Sequence, residues 1–321
     1  MKHLLKTRLI AMIAILAITI ISCSDDTNDT STADNTITGI ASKTADFSIL
    51  VQALNKAELT ATLQGTTEYT VFAPTNAAFT AFLATTTYKS IDEVPKDVLT
   101  QILLNHVLTG TKKSTDLTTG YVKTLAKGSA STTNTLSMFV NTADNKVKLN
   151  GVATVTTANV IATNGVIHVV DKVIGLPTIL THAEANPNFS TLATIVKSTP
   201  QAAVATALTT NTSPLTVFAP TNTAFTAALG VGGFANGATD AQVTKVLQYH
   251  VTAAGNVLAA TLTNGQVVPM ITNPVQNITI DLTSGAKITD KSSTKANIVV
   301  TDVQCTNGVI HAIDKVLQPT L

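Results

Sequence analysis

The chain has no tryptophan, few aromatic residues of any kind, four glutamates and two cysteines in 321 residues. Arginine occurs once, at Arg8, so the rest of the chain has no guanidinium to grip a phosphate or carboxylate through two parallel bonds. That absence also excludes an Arg-Gly-Asp adhesion tripeptide. Glu58, Glu68, Glu93 and Glu184 show no repeat-matched pairing of the kind that glycoside hydrolysis uses. No Gly-x-Ser-x-Gly elbow, His-Glu-x-x-His helix or paired-cysteine motif is present, so no catalytic residue, metal ligand or cofactor is expected. Without residues 1–22, seventeen basic side chains face nineteen acidic ones, which leaves no basic excess for nucleic acid. Threonine is what the chain has in abundance, roughly one residue in five or six.

The N-terminus reads as an export signal: Lys2, Lys6 and Arg8 precede an apolar run from Leu9 to Ile21 that is too short to span a bilayer comfortably. Ile20-Ile21-Ser22-Cys23 then resembles the lipobox of bacterial lipoproteins, which implies cleavage after residue 22 and acylation of Cys23. Several acyl chains on one residue make a stable membrane anchor. Residues 23–37 are polar and lack anything large to bury, so a flexible tether is expected there. Ser24-Asp25-Asp26 also resembles a surface-export signal of lipoproteins, and the plain alternative is an acidic linker. Surface-exposed and periplasm-facing orientations both follow from this segment, the former being expected. With Cys23 acylated, Cys305 has no partner within the chain, and stability must come from packed cores. A small buried side chain is the expected role of Cys305, which aligns with Ala162.

The remainder is written twice. Thr70 to Phe79 reads Thr-Val-Phe-Ala-Pro-Thr-Asn-Ala-Ala-Phe and returns at Thr216 to Phe225 with one change, 146 residues later. Asn164-Gly165-Val166-Ile167-His168 to Ile174 returns at Asn307-Gly308-Val309-Ile310-His311 to Leu317, 143 residues later. Repeats this long are whole domains, since solenoid units run only about 20 to 50 residues. Each copy opens on a helical pattern, with Phe47, Leu50, Val51 and Leu54 in the first and Phe189, Leu192, Ala193 and Val196 in the second. Strands Tyr69 to Ala73 and Leu215 to Ala219 stop at Pro74 and Pro220, where Thr75-Asn76 and Thr221-Asn222 supply oxygens to cap the next helix. Longer helices are expected from Lys96 to about Val107 and from Asp240 to about Val251. The rest alternates with period two and reads as strands, with Asn164-Gly165 and Asn307-Gly308 as turns before the last. Helices followed by an antiparallel sheet make an α+β arrangement.

These two boxes, with helices ending at His106 and His250 between them, resemble the conserved boxes and central tyrosine-histidine site of fasciclin-like domains. The resemblance covers about residues 38–321 and implies two tandem domains, 38–176 and 177–321, each an antiparallel wedge of about seven strands with helices packed along one side. It implies membership among secreted or surface-tethered adhesion proteins. It also implies a binding role for Tyr249 and His250, whereas the first copy departs with Asn105-His106 and has Asn159 in place of Asp302.

The residues themselves favour structural roles. His106 shares a helical face with Leu99 and Leu103, and His250 with Val243 and Leu247, so both should point at the core. On the last strand, His168 and Asp171, like His311 and Asp314, are an odd number of residues apart and should face opposite sides of the sheet. Tyr121 and the glycine-rich 230–237 loop around Phe234 occur in one copy only. The expected protein is a non-catalytic outer-membrane lipoprotein exposed on the cell surface, contacting protein or polysaccharide on cells or matrix. The alternatives are an envelope scaffold facing the periplasm and a hydrolase of a surface polymer.

Overall fold

The computed structural model describes residues 34–229 and 237–321. Cys23, the expected site of lipidation, the expected signal and most of the expected tether lie outside these residues, as does most of the 230–237 loop.

In the first copy, helices α1 (Ile37–Lys43), α2 (Ser48–Lys56) and α3 (Thr60–Gln64) precede β1 (Tyr69–Pro74), α4 (Asn76–Ala84) and α5 (Lys96–Leu104). Strands β2 (Val107–Thr109), β3 (Gly120–Gly128), β4 (Ser131–Asn141), β5 (Lys148–Leu149), β6 (Ala153–Ala162) and β7 (Gly165–Val170) complete it. The second copy repeats the order with α6 (Ile179–Ala185), α7 (Ser190–Val196), α8 (Ala202–Thr210), β8 (Leu215–Pro220), α9 (Asn222–Leu229) and α10 (Asp240–Gln248). It closes with β9 (Val251–Thr252), β10 (Val267–Pro269), β11 (Asn277–Asp281), β12 (Lys287–Thr289), β13 (Ala296–Cys305) and β14 (Gly308–Ile313). The sheets have the same strand order, β2-β1-β7-β6-β5-β4-β3 and β9-β8-β14-β13-β12-β11-β10.

Five of the six pairings in each sheet are antiparallel, but β1 with β7 and β8 with β14 are parallel. Alternation identifies a strand without naming its neighbour, so the sequence did not reveal that its two repeated boxes lie side by side. Their register sets Phe72 beside His168 and Phe218 beside His311. Both helices expected to reach Val107 and Val251 stop three residues early, at Leu104 and Gln248, because Val107 and Val251 pair with Val71 and Val217 instead.

Each copy splits its apolar residues between the two faces of its sheet. Phe79, Leu99, Leu103 and Ile167 pack with α1 and α2 on one side, while Phe72, Met138, Leu149 and Ile174 fill the other. The second copy does likewise, with Phe225 and Ile310 on its helical side and Phe218, Tyr249 and Ile288 opposite. Burying side chains of this size stabilises by about 1.5–3 kcal/mol each before conformational entropy is subtracted.

Candidate functional site

The repeated polar residues form one bonded frame, present twice. Thr75 Oγ1 accepts from the Ala78 amide (3.2 Å) and Thr221 Oγ1 from that of Ala224 (3.3 Å), as helix caps. Asn76 and Asn222 do something the sequence did not suggest. Instead of capping their own helices, they accept from the Ile49 amide (2.9 Å) and the Thr191 amide (3.0 Å), tying down the starts of α2 and α7. Their amide groups donate to Ser48 Oγ and Ser190 Oγ, each at 2.9 Å. Unpaired amides at a helix start need such acceptors, and here they come from a helix about thirty residues later in the chain.

Asn164 and Asn307 are further clamps, expected only as turn residues. Asn164 accepts from the Ile37 amide (2.9 Å) and donates to the Leu63 and Gly65 carbonyls (2.7 and 2.8 Å). Asn307 accepts from the Ile179 amide (3.0 Å) and donates to the Leu208 carbonyl (2.9 Å). Gly165 and Gly308 follow with φ of 143° and 154°, where a Cβ would fall 1.9 Å from the Tyr69 carbonyl oxygen and 2.0 Å from that of Leu215. Only glycine fits this approach of the boxes.

His106 and His250 sit in the turn beyond α5 and α10, buried as expected. Their Nδ1 atoms lie 2.8 Å from the Ile102 carbonyl oxygen and 2.7 Å from that of Val246, while Nε2 accepts from the Ile174 and Leu317 amides, each at 2.9 Å. One nitrogen must donate and the other accept, which fixes a neutral ring. Burial lowers both pKa values to about 4, opposed by the carbonyl bond. His168 and His311 stack on Phe72 and Phe218 at 5.6 and 5.7 Å, and bond through Nε2 to the Lys112 and Val257 carbonyls, each at 2.9 Å. Burial lowers their pKa values as well. Asp171 and Asp314 accept from the amides of Thr154 and Asn297, each at 2.7 Å, and thus fasten β6 and β13 rather than addressing the histidines.

Asn159 and Asp302 are structural equals despite their different chemistry. Both take positive φ at a bulge, 62° and 58°, and both accept from the first amide of a short 3-10 turn, Ser114 and Ala259, at 2.8 Å. Tyr249 is fully buried and its hydroxyl donates to the Asn277 carbonyl (2.8 Å), with its pKa pushed up to about 12 by burial. Asn105 is also buried and donates to the Gly175 carbonyl (3.0 Å). Neither Tyr249 nor His250 presents its side chain to solvent.

The copies meet where β3 and β4 of the first receive α6 and β13 of the second. Lys123 Nζ donates to the Asp302 carbonyl (2.9 Å) and Ser137 Oγ (3.1 Å), and Ser137 Oγ accepts from the Gln304 amide (3.0 Å). Ala130 donates to the Thr306 carbonyl (2.8 Å), and Asn186 to the Tyr121 hydroxyl (3.2 Å). His182 is buried edge-on to Tyr121 at 5.4 Å, near the Ser137 and Gln304 carbonyls but with neither ring nitrogen in hydrogen-bonding geometry. Burial first, then the Lys123 charge, lowers its pKa to about 3. Cys305 is buried beside this contact, and burial pushes its thiol well above the usual range. A shallow cleft of about 490 Å³ opens at the junction, lined by Thr119, Tyr121, Asn141, Asn186, Asn188 and Val300 and by no charged residue.

The apolar cavities beneath β1 and β8 measure only about 20 Å³ each, room for a water-sized body. Among the described residues no three His, Cys, Asp or Glu side chains group as metal ligands, and no helix is long and apolar enough to cross a membrane.

The fasciclin domain family model matches residues 45–177 and again 187–319. Protein sll1483 of Synechocystis sp. is 42% identical over 139 residues, covering 43% of this chain and 72% of that protein. The uncharacterized protein sll1735 of the same organism is 34% identical over 143 residues, 44% of this chain and 98% of that protein. A FAS1 domain pair from the insect cell adhesion molecule Fasciclin I aligns with 85% of this chain and 98% of its own, at a TM-score of 0.49 and 20% identity. With both copies matched along nearly their full length, the chain belongs to the fasciclin domain family as a tandem pair.

Proposed function

We propose that the chain is a non-catalytic adhesion protein, anchored through Cys23 to an outer membrane and exposed on the cell surface, that contacts protein or polysaccharide on cells or matrix. The observation that carries this reading is the fate of the repeated polar groups. The histidines, asparagines and threonines of the boxes direct their bonds inward, so the repeat maintains a fold and leaves recognition to the unrepeated exterior. That exterior is rich in threonine, and the junction cleft offers hydroxyl and amide groups without charge. Such surfaces suit wet, hydrogen-bonded contacts with neutral partners. In this reading Tyr249 and His250 act from beneath the surface, by fixing the strands that carry it.

Weak contacts become firm when many copies share one membrane, because linked sites gain from effective concentration. Beads carrying a dense layer of the protein should therefore be retained on cells or matrix where blank beads are not. Equal retention of coated and blank beads would remove the adhesion reading. Protease shaving of intact cells tests orientation separately: digestion of the parent but not of an Asp25→Ala, Asp26→Ala variant identifies an export signal. Protection of both, with digestion after lysis, identifies a periplasmic scaffold instead.

A further inference from the structure

We infer that this chain binds a second copy of itself head to tail, through the same two faces that join its own domains. The inference rests on repeat equivalence and is independent of the adhesion reading. In the internal junction, β3 and β4 form the receiving face, while α6 and β13 form the inserted face. Each domain carries the corresponding strands and helix, although the β10–β11 hairpin is shorter than β3–β4 and has no counterpart of residues 128–130, so among the described residues one of each face is left uncovered. The uncovered receiving face lies on β10 and β11, and the uncovered inserted face on α1 and β6.

Strand register fixes which residues correspond. Leu149 pairs with Ala153 as Ile288 pairs with Ala296, so β5 matches β12. Following the ladders outward, Ser137 matches Asn277, Phe139 matches Thr279 and Tyr121 matches Val267. On the inserted face, the spacing of the Asn-Gly boxes matches Gln304 to Ile161. The shared amide clamp of Ile37 and Ile179 matches His182 to Ile40.

Exposure changes at these positions as the proposal requires. Gln304 is 1% exposed in the junction, whereas its counterpart Ile161 is 59% exposed. Opposite, Val267 is 58% exposed, and Val275 and Ile271, in the short turn that joins β10 to β11, are 66% and 37% exposed. Both uncovered faces thus present aliphatic side chains, which a second molecule buries on each by continuing the internal junction. The contact joins two different faces and is therefore heterologous, so repetition leads to an open chain of molecules unless the rotation closes a ring. Because the Gln304 amide meets Ser137 at 3.0 Å, Ile161 of one molecule comes to lie against Asn277 of the next.

The test is disulfide trapping and sedimentation of the full chain in mild detergent. An Ile161→Cys, Asn277→Cys double variant should form a ladder of covalent oligomers under gentle oxidation. An Ile161→Cys, Val98→Cys control, which offers an exposed but unrelated position, should not. Val267→Asp and Ile161→Lys, both at exposed sites and checked for unchanged circular dichroism, should each weaken assembly by about tenfold or more, since each places a charge in an apolar contact. Monomeric sedimentation of the parent at all concentrations would overturn the proposal. So would equal ladders in both cysteine pairs, or assembly indifferent to both charged variants.

Discussion

His106 and His250 act as neutral two-bond latches, and their burial was legible because each follows an apolar helical stripe. The bonds were not legible, since Ile174 and Leu317 lie 68 and 67 residues further along the chain. Replacing either histidine with alanine strands a buried carbonyl and a buried amide, and should cost about 2–4 kcal/mol in denaturant unfolding. An unchanged midpoint would contradict the latch. The same rings set a pH response. Their folded-state pKa of about 4 lies below an unfolded value of 6.5, so the unfolded chain takes up protons first as pH falls. Stability is full above pH 6.5, declines between 6.5 and about 4 by about 3 kcal/mol per latch, and levels off below. Urea titrations at stepped pH should show that window, and should show a smaller loss across it in His250→Leu. Thr75 and Thr221 were readable as caps because a cap needs only its own helix. Asn76 and Asn222 were misread because their acceptor role spans separate helices.

At the scale of elements, periodicity identified the strands but not the parallel pairing of the two boxes. The pairing depends on a chain path that leaves β1 through α4 and returns at β7 nearly a hundred residues later. Gly165 and Gly308 record that pairing most directly. Gly165→Ala would force a Cβ against the Tyr69 carbonyl at a φ that side chains rarely adopt, and should cost at least about 3 kcal/mol in the first domain. Separate unfolding transitions for the two domains, with only the first displaced, would verify it. Asn164→Ala belongs to the same scale. It releases α1 from the sheet, so amide exchange should rise at Ile37 to Ala41 while β7 remains protected, and unchanged protection of α1 would argue against the clamp.

For the whole molecule, the junction is a contact that responds to acid. His182 is neutral and without a hydrogen-bond partner between the copies, close to Lys123, and opening the contact returns it to water. Its pKa of about 3 against 6.5 when solvated means that the closed junction weakens as pH falls through that interval. The protection factor of the Gln304 backbone amide, with the slower intrinsic exchange in acid divided out, should fall from pH 7 to pH 5 more than latch protonation explains, and His182→Leu should remove the excess. Gly128 gives an orthogonal handle, since a Cβ there would lie 2.5 Å from Thr306 Cα, so Gly128→Ala should loosen the junction with each domain still folded. The sequence by itself determined that there are two domains, where their boxes lie and which apolar side chains go inside, because repetition and periodicity are local properties of a chain. Tertiary structure alone decided which strands are neighbours, which asparagines hold which helices, and how the copies dock. Those contacts join residues separated by as many as 179 positions, and no local pattern encodes the partner.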